Sequence, residues 1–399
     1  MVKTVSIWGS TGSVGKNTLD VINAHPHQYQ VQVLTAHQNV AMLAEQAMAC
    51  RAQKAIITRP NLYADLKNAL SGTSIEVAAG ENALCDSADM PCDWTMSAIV
   101  GMAGIRPLMR ALARGKTVAV ANKEPLVSAG SLIMDTMRRY GAQILPVDSE
   151  HNAIFQILNP AHHTAVTRLI LTASGGPFRT WPADTLSTAT VAQALAHPNW
   201  QMGKKISIDS ATMMNKALEV IEAHHLFAMP AHKIDVVIHP QSIIHSMVEY
   251  EDGSMLAQMG SPDMRVPISY ALTWPDRQAS PAQRLDLTTL TPLTFEPVCT
   301  QKFPALGLAY DVLGLSSSHA AALNAANEVA VEAFLRGMIS FADIYKINHK
   351  AVTRAPRGEL ASLEDVLAVD CQVRDEIQSE LGFTKGEPLY RHQQAGVTS

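Results

Sequence analysis

A chain of 399 residues is too long for one hydrophobic core, and at roughly 100–200 residues per domain it predicts two or three. With 47% apolar and 17% charged residues and a formal net charge of −5, it has the make-up of an ordinary globular enzyme and no basic surface for nucleic acid. Five scattered cysteines without a CxxC pair exclude a disulfide framework or a thiolate zinc site, and no apolar run reaches the ~20 residues of a membrane span.

The N-terminal Met-Val-Lys leads directly into a short apolar strand with no signal-peptide core, so a cytoplasmic protein with no membrane partner is expected. Residues 1–150 alternate strand-like runs (Thr4 to Trp8, Tyr29 to Leu34, Ala55 to Thr58, Thr117 to Val120, Gln143 to Val147) with helical stretches. That alternation predicts βαβ units around a parallel sheet, an α/β Rossmann-like domain. The turn GSTGSVG (Gly9, Ser10, Thr11, Gly12, Ser13, Val14, Gly15) follows the first strand and opens a helix, so its amides would face a pyrophosphate. A Walker A loop is rejected, because Asn17 stands where Ser or Thr should follow Lys16. After the second strand come His37, Gln38 and Asn39, with no carboxylate before Glu45, which favours NADPH over NADH.

Asn122, Lys123 and Glu124 follow another strand and would reach the sheet edge beside the nicotinamide; pairing of Lys123 with Glu124 is the plainer reading. Asp148-Ser149-Glu150 ends the last strand of this half, where extended geometry would turn both carboxylates toward one hard cation. Glu219 is a candidate third ligand, on a helix over roughly 213–227 whose other side carries Met214, Leu218, Ile221 and Leu226; a surface pair of Lys216 with Glu219 is the plainer reading.

Residues 151–274 read as a second, α/β or α+β, catalytic domain, with strands at Lys233 to Ile238 and Ile243 to Tyr250 and a hairpin turn at Asp252-Gly253. Here Ala173 to Pro177, with Ser174, makes a small-residue turn suited to an anion, and 207–212 reads as a polar turn beside Asn215 and Lys216. Between them the segment 197–205 carries Trp200 on a loop bounded by Pro198 and Gly203, the pattern of a lid. Residues 275–304, with five prolines, read as an extended linker. Residues 305–399 turn helical, with N-cap boxes at Ser340/Asp343 and Ser362/Asp365, a stop at Gly337, and a frayed tail from about Gly386.

Taken together, GSTGSVG at 9–15, ANKE at 121–124, PVDSEH at 146–151, SGGPFR at 174–179 and the long blocks at 197–227 and 239–268 resemble the 1-deoxy-D-xylulose 5-phosphate reductoisomerase family, in order and across the chain. The resemblance implies a homodimer with an NADPH domain, a catalytic domain and a C-terminal α-helical bundle. It also implies one Mg²⁺ or Mn²⁺ held by Asp148, Glu150 and Glu219, and a small phosphorylated sugar as substrate. Ser174, Ser210, Asn215 and Lys216 would bind its phosphate and hydroxyls; Ser149, His197, Trp200 and Met202 would line it; and His245 would lie near the phosphate. Glu150 and Lys123 would be catalytic, and Gly203 would join the cofactor residues. One departure stands out: the family often has Gly and a basic or small residue where this chain has His37-Gln38. A plain NADP-dependent dehydrogenase, with structural acids and metal-independent hydride transfer, is the competing expectation.

Overall fold

The computed structural model describes residues 2–200, 202–290 and 292–383, so the expected frayed tail lies outside the described residues. In chain order, β1 (Lys3–Trp8), α1 (Ser13–Asn23), β2 (Tyr29–Ala36), α2 (Val40–Ala49), β3 (Lys54–Ile57), α3 (Tyr63–Ala69) and β4 (Glu76–Ala79) form the first half of a doubly wound sheet. The second half is α4 (Glu81–Ser87), β5 (Trp94–Ser97), α5 (Ile105–Leu112), β6 (Thr117–Val120), α6 (Glu124–Tyr140), β7 (Gln143–Pro146) and α7 (Ser149–Ile157). Two of these strands, β4 and β5, escape the sequence pattern because EVAA and WTMS carry little β-branched character.

The seven strands lie in the order β4-β3-β2-β1-β5-β6-β7, all parallel. Helices cover such a sheet on its faces, so its strands can be apolar throughout; Val5, Ile7, Leu34, Ile57, Trp94 and Met96 are fully or almost fully buried in one core. Strand order reverses between β1 and β5, which opens a crevice at their carboxyl ends.

A second sheet follows. It uses β8 (Val166–Ala173), and then, after α8 (Val191–Leu195), α9 (Lys204–Ala211) and α10 (Met214–Phe227), the strands β9 (Ile234–Ile238), β10 (Ile244–Tyr250) and β11 (Met255–Met259). After α11 (Arg265–Thr273), the two-residue β12 (Glu296–Pro297) completes the order β11-β10-β8-β9-β12. The hairpin turns where expected: Gly253 takes φ +83° and its amide donates to the Tyr250 carbonyl at 3.0 Å.

The chain gathers into two compact units. One takes the described residues of Met1–Ser174 and Glu219–Val298, and so both sheets; the other takes those of Gly175–Leu218 and Cys299–Ser399. In the second, α12 (Ala305–Leu313), α13 (Ser317–Leu335), α14 (Phe341–Arg354) and α15 (Leu363–Leu381) form a bundle. Helix α13 is buried on all sides from Ser318 to Phe334, which is why its sequence is alanine-rich: small side chains let α14 and α15 approach closely. Both expected capping boxes form, Ser340 with Asp343 and Ser362 with Asp365, and Gly337 takes φ +72° just past α13.

Two local expectations are overturned. Residues 207–212 are not a turn: all but Thr212 belong to α9. The Ser207 and Thr212 hydroxyls donate to the Gly203 and Ile208 carbonyls four residues back, so the helix's own carbonyls satisfy them. Asp148 to Glu150 is not extended strand either. Strand β7 stops at Pro146, Asp148 caps α7, and Glu150 lies in its first turn.

Candidate active site

The glycine turn fits a bound anion. Helix α1 has Gly12 at its N-cap, no side chain capping it and no acid in its first turn, so its leading amides face outward at the positive end of the helix dipole. The glycines are needed for closeness. A Cβ on Gly9, which sits at φ +85°, would stand 2.5 Å from the Ala98 carbonyl oxygen at the neighbouring β5 edge. A Cβ on Gly15 would stand 2.4 Å from the Gly9 oxygen. Ser10 turns inward, its hydroxyl donating to Gln46 at 2.8 Å, which leaves Thr11, Gly12 and Ser13 as the outward edge of the loop.

Asn39 caps α2 by accepting from the Met42 amide, and His37 contacts the Thr58 hydroxyl at 2.8 Å. Beside them stands Arg59, whose Nη1 donates to Gln38 Oε1 at 3.2 Å. The sequence does not single out Arg59, because only the β2–β3 pairing brings position 59 to the end of β2.

Across the switch point, the strand-end residues converge. Lys123 is the N-cap of α6, and its Nζ lies 2.8 Å from Asp148 Oδ2 and 3.1 Å from Glu219 Oε1. Burial opposes the charge on Lys123, but the carboxylates of Asp148 and Glu219 outweigh it and hold the ammonium well above its ordinary pKa. Asp148, Glu150 and Glu219 each offer an oxygen, all within 4.8 Å of one another. Three hard carboxylate donors around a buried positive group are the donor set of a divalent cation, Mg²⁺ or Mn²⁺ in kind.

Two further residues brace this cluster and are not apparent in the sequence. His151, fully buried, meets the Glu219 backbone carbonyl through Nε2 at 2.9 Å and Glu222 Oε2 through Nδ1 at 3.1 Å. Burial works against protonation of His151, yet Glu222 outweighs it and raises its pKa to about 9. The ring thus ties α7 to the turn of α10 that carries Glu219, by a hydrogen bond at Nε2 and an ion pair at Nδ1. Helix α10 is thus no surface helix with an exposed Lys-Glu pair: Lys216, Glu219 and Glu222 are all buried.

Of the remaining expected site residues, Asn122 and His245 lie in the first unit with the carboxylates; Asn122 donates to the Gly101 carbonyl at 3.4 Å and the buried His245 ring contacts the Gly260 carbonyl at 3.3 Å. Ser174 and Ser149 belong to that unit as well. His197, Trp200, Met202, Gly203, Ser210, Asn215 and Lys216 belong to the other. There, Gly175 and Gly176 take φ +83° and +65°, and a Cβ on Gly176 would stand 2.8 Å from the Ser210 carbonyl oxygen, so the turn after Ser174 lies tight against the end of α9. Met213 follows α9 at φ +62°, a left-handed turn into α10. His197 closes its loop: Nδ1 accepts from the amides of Asn199 and Trp200 at 3.2 and 3.0 Å, and burial lowers its pKa to about 4.

Comparison with known proteins agrees with this geometry. The profile described as 1-deoxy-D-xylulose 5-phosphate reductoisomerase matches residues 5–130, and the two profiles for the C-terminal domains of that enzyme match 144–227 and 259–376. The 1-deoxy-D-xylulose 5-phosphate reductoisomerase of Rhodospirillum centenum is 54% identical over 94% of this chain and 93% of its own length. That of Zymomonas mobilis is 52% identical over 93% and 96%. Among solved structures, the Zymomonas mobilis enzyme in complex with NADPH superposes with a TM-score of 0.90 at 50% identity, covering 96% of this chain and 99% of its own. A DOX-P reductoisomerase in complex with NADPH, fosmidomycin and magnesium gives 0.91 at 41% identity, covering 96% and 98%. With the profiles spanning most of its length and relatives above half identity, this chain belongs to the 1-deoxy-D-xylulose 5-phosphate reductoisomerase family.

Proposed function

We propose that this protein converts 1-deoxy-D-xylulose 5-phosphate to 2-C-methyl-D-erythritol 4-phosphate, an isoprenoid precursor, using NADPH and one divalent cation. The observation that carries this reading is the convergence of Asp148, Glu150 and Glu219 around Lys123 at the edge of a dinucleotide-binding sheet, in a chain of this family. Asp148, Glu150 and Glu219 would hold the cation, which when bound supplies Lewis-acid polarisation of adjacent hydroxyl and carbonyl oxygens.

The chain's own groups divide the remaining work. Glu150, at the exposed side of the cluster in the first turn of α7, carries the substrate hydroxyl proton as the carbon skeleton is cleaved and rejoined in a retro-aldol sense. Lys123, fixed in its charged form, steadies the oxygen that gains negative charge when the resulting aldehyde is reduced. Ser174, Ser210, Asn215 and Lys216 take the phosphate and hydroxyls, so that binding of a remote group orients the reacting centre. His197, its Nδ1 committed to the loop amides, shapes the segment carrying Trp200 and Met202 as a lid that excludes water, and Ser149 and His245 complete the lining.

A homodimer is the proposed assembly. Strand β11 is an edge of the second sheet and leaves Met255, Leu256 and Met259 39–47% exposed, a surface suited to a second copy of the chain. Leu256→Lys should shift the sedimentation coefficient toward the monomer. The activity itself is tested by incubating the protein with 1-deoxy-D-xylulose 5-phosphate, NADPH and Mg²⁺ and identifying the product by NMR. A branched methylerythritol skeleton is expected; an unbranched reduced sugar would replace this reading with a plain dehydrogenase.

A further inference from the structure

The 2′-phosphate of NADPH calls for a positive group near the end of β2, where a dinucleotide fold recognises the adenosine ribose. Residues His37, Gln38 and Asn39 supply no fixed positive charge there, and no carboxylate that would instead favour the 2′-hydroxyl of NADH. The sheet provides the missing charge from the next strand. Strands β2 and β3 run in parallel register with Ala36 opposite Ile57, so the residues that follow them emerge side by side. The Thr58 amide donates to the Ala36 carbonyl at 2.9 Å and the Arg59 amide to the His37 carbonyl at 3.2 Å, which fixes the two loops to each other.

We propose that Arg59 is the residue that reads the 2′-phosphate of NADPH in this chain, in place of a basic residue directly after β2. Its guanidinium is oriented by the 3.2 Å hydrogen bond from Nη1 to Gln38 Oε1, and among the described residues no carboxylate pairs with it. The side chain is exposed, so a ligand reaches it from solvent. An arginine presents a planar fork of donors that matches phosphate oxygens two at a time. The N-terminus of α2, a ten-residue helix capped by Asn39 and without an acid in its first turn, adds a favourable field at the same corner. The Thr58 hydroxyl and the His37 ring meet at 2.8 Å beside the same two strand ends.

The test separates the 2′-phosphate from the rest of the cofactor. The full-length protein, without substrate, is titrated with NADPH and NADH by nicotinamide fluorescence, and with adenosine 2′,5′-bisphosphate and 5′-AMP by calorimetry, for wild type, Arg59→Met and Arg59→Lys. In Arg59→Met, NADPH and the bisphosphate should weaken tenfold or more while NADH and AMP change less than twofold. Arg59→Lys, which keeps the charge and loses the fork, should fall between. The proposal is overturned if Arg59→Met leaves NADPH affinity unchanged, or if all four ligands weaken alike. Wild-type protein that binds none of them would instead refute nucleotide binding at this sheet, an outcome distinct from either.

Discussion

Removing the charge of Lys123 tests whether the three carboxylates form one electrostatic unit. Its Nζ lies 2.8 Å from Asp148 and 3.1 Å from Glu219, with side chains 5%, 12% and 1% exposed. At an effective dielectric of about 20, each contact amounts to roughly 5–6 kcal/mol of gross attraction. Desolvation of the partners cancels much of that, and breaking a buried pair by removing one side costs about 3–5 kcal/mol net. In Lys123→Met, Asp148, Glu150 and Glu219 face one another with no ammonium between them. At roughly 2 °C per kcal/mol, the figure for a folding unit of about 250 residues, the EDTA-treated variant should melt about 6–10 °C below wild type.

A divalent cation should reverse much of this, because binding at 100 times Kd adds about 2.7 kcal/mol. At equal Mg²⁺ the variant should gain more stability than wild type, whose ammonium competes for the same oxygens. The assay is differential scanning fluorimetry with EDTA and with a Mg²⁺ series. Melting within about 2 °C of wild type in EDTA, or equal Mg²⁺ shifts in both proteins, would refute the reasoning.

Other perturbations probe other parts of the fold. Gly15→Ala places a methyl 2.4 Å from the Gly9 carbonyl oxygen, so the turn must move: a stability loss of about 1–3 kcal/mol and a weaker NADPH titration are expected, and unchanged values would argue against the tight turn. Asn327 donates to Asp209 at 2.8 Å and accepts from Asn348 at 3.0 Å inside the second unit. Asn327→Leu should therefore lower the urea midpoint, by about 1–3 kcal/mol for each stranded partner; a midpoint equal to wild type would show that the network carries no stability. Burial, reinforced by His224, lowers His225 to about 4, and burial alone does the same to His197. Both are neutral in the folded state, so their contribution is complete above about pH 6.5 and is lost as pH falls toward 4. Urea midpoints at pH 7 and 4.5 check this, and His225→Gln should flatten the acid limb; an unaltered limb would contradict the assignment.

The sequence carried the parts of this molecule that depend on neighbours along the chain. A glycine triplet between a strand and a helix, an acidic pair after a strand, two capping boxes and an Asp-Gly hairpin are all local patterns with local physics. Other features depend on register between distant segments. Arg59 matters because β2 and β3 pair, and the His151 brace joins residues 68 positions apart. The hydroxyl-rich stretch at 207–212 reads as a turn because serine and threonine favour turns; in the structure 207–211 lie in α9 and Thr212 caps it, with the Ser207 and Thr212 hydroxyls donating to carbonyls four residues back. Asp148 and Glu150 stand out in the sequence by their charge, while their geometry, a helix cap and its first turn, depends on β7 ending at Pro146.

The central claim is that Asp148, Glu150 and Glu219 hold a cation on which turnover depends. The most direct measurement follows NADPH absorbance with 1-deoxy-D-xylulose 5-phosphate and Mg²⁺, then adds EDTA, then excess Mg²⁺, for wild type and Glu219→Gln. The account predicts oxidation that stops on chelation and resumes with Mg²⁺ in wild type, and a folded variant that stays inactive at the same Mg²⁺. Oxidation indifferent to EDTA, or a Glu219→Gln enzyme with near-normal turnover and Mg²⁺ affinity, would contradict it.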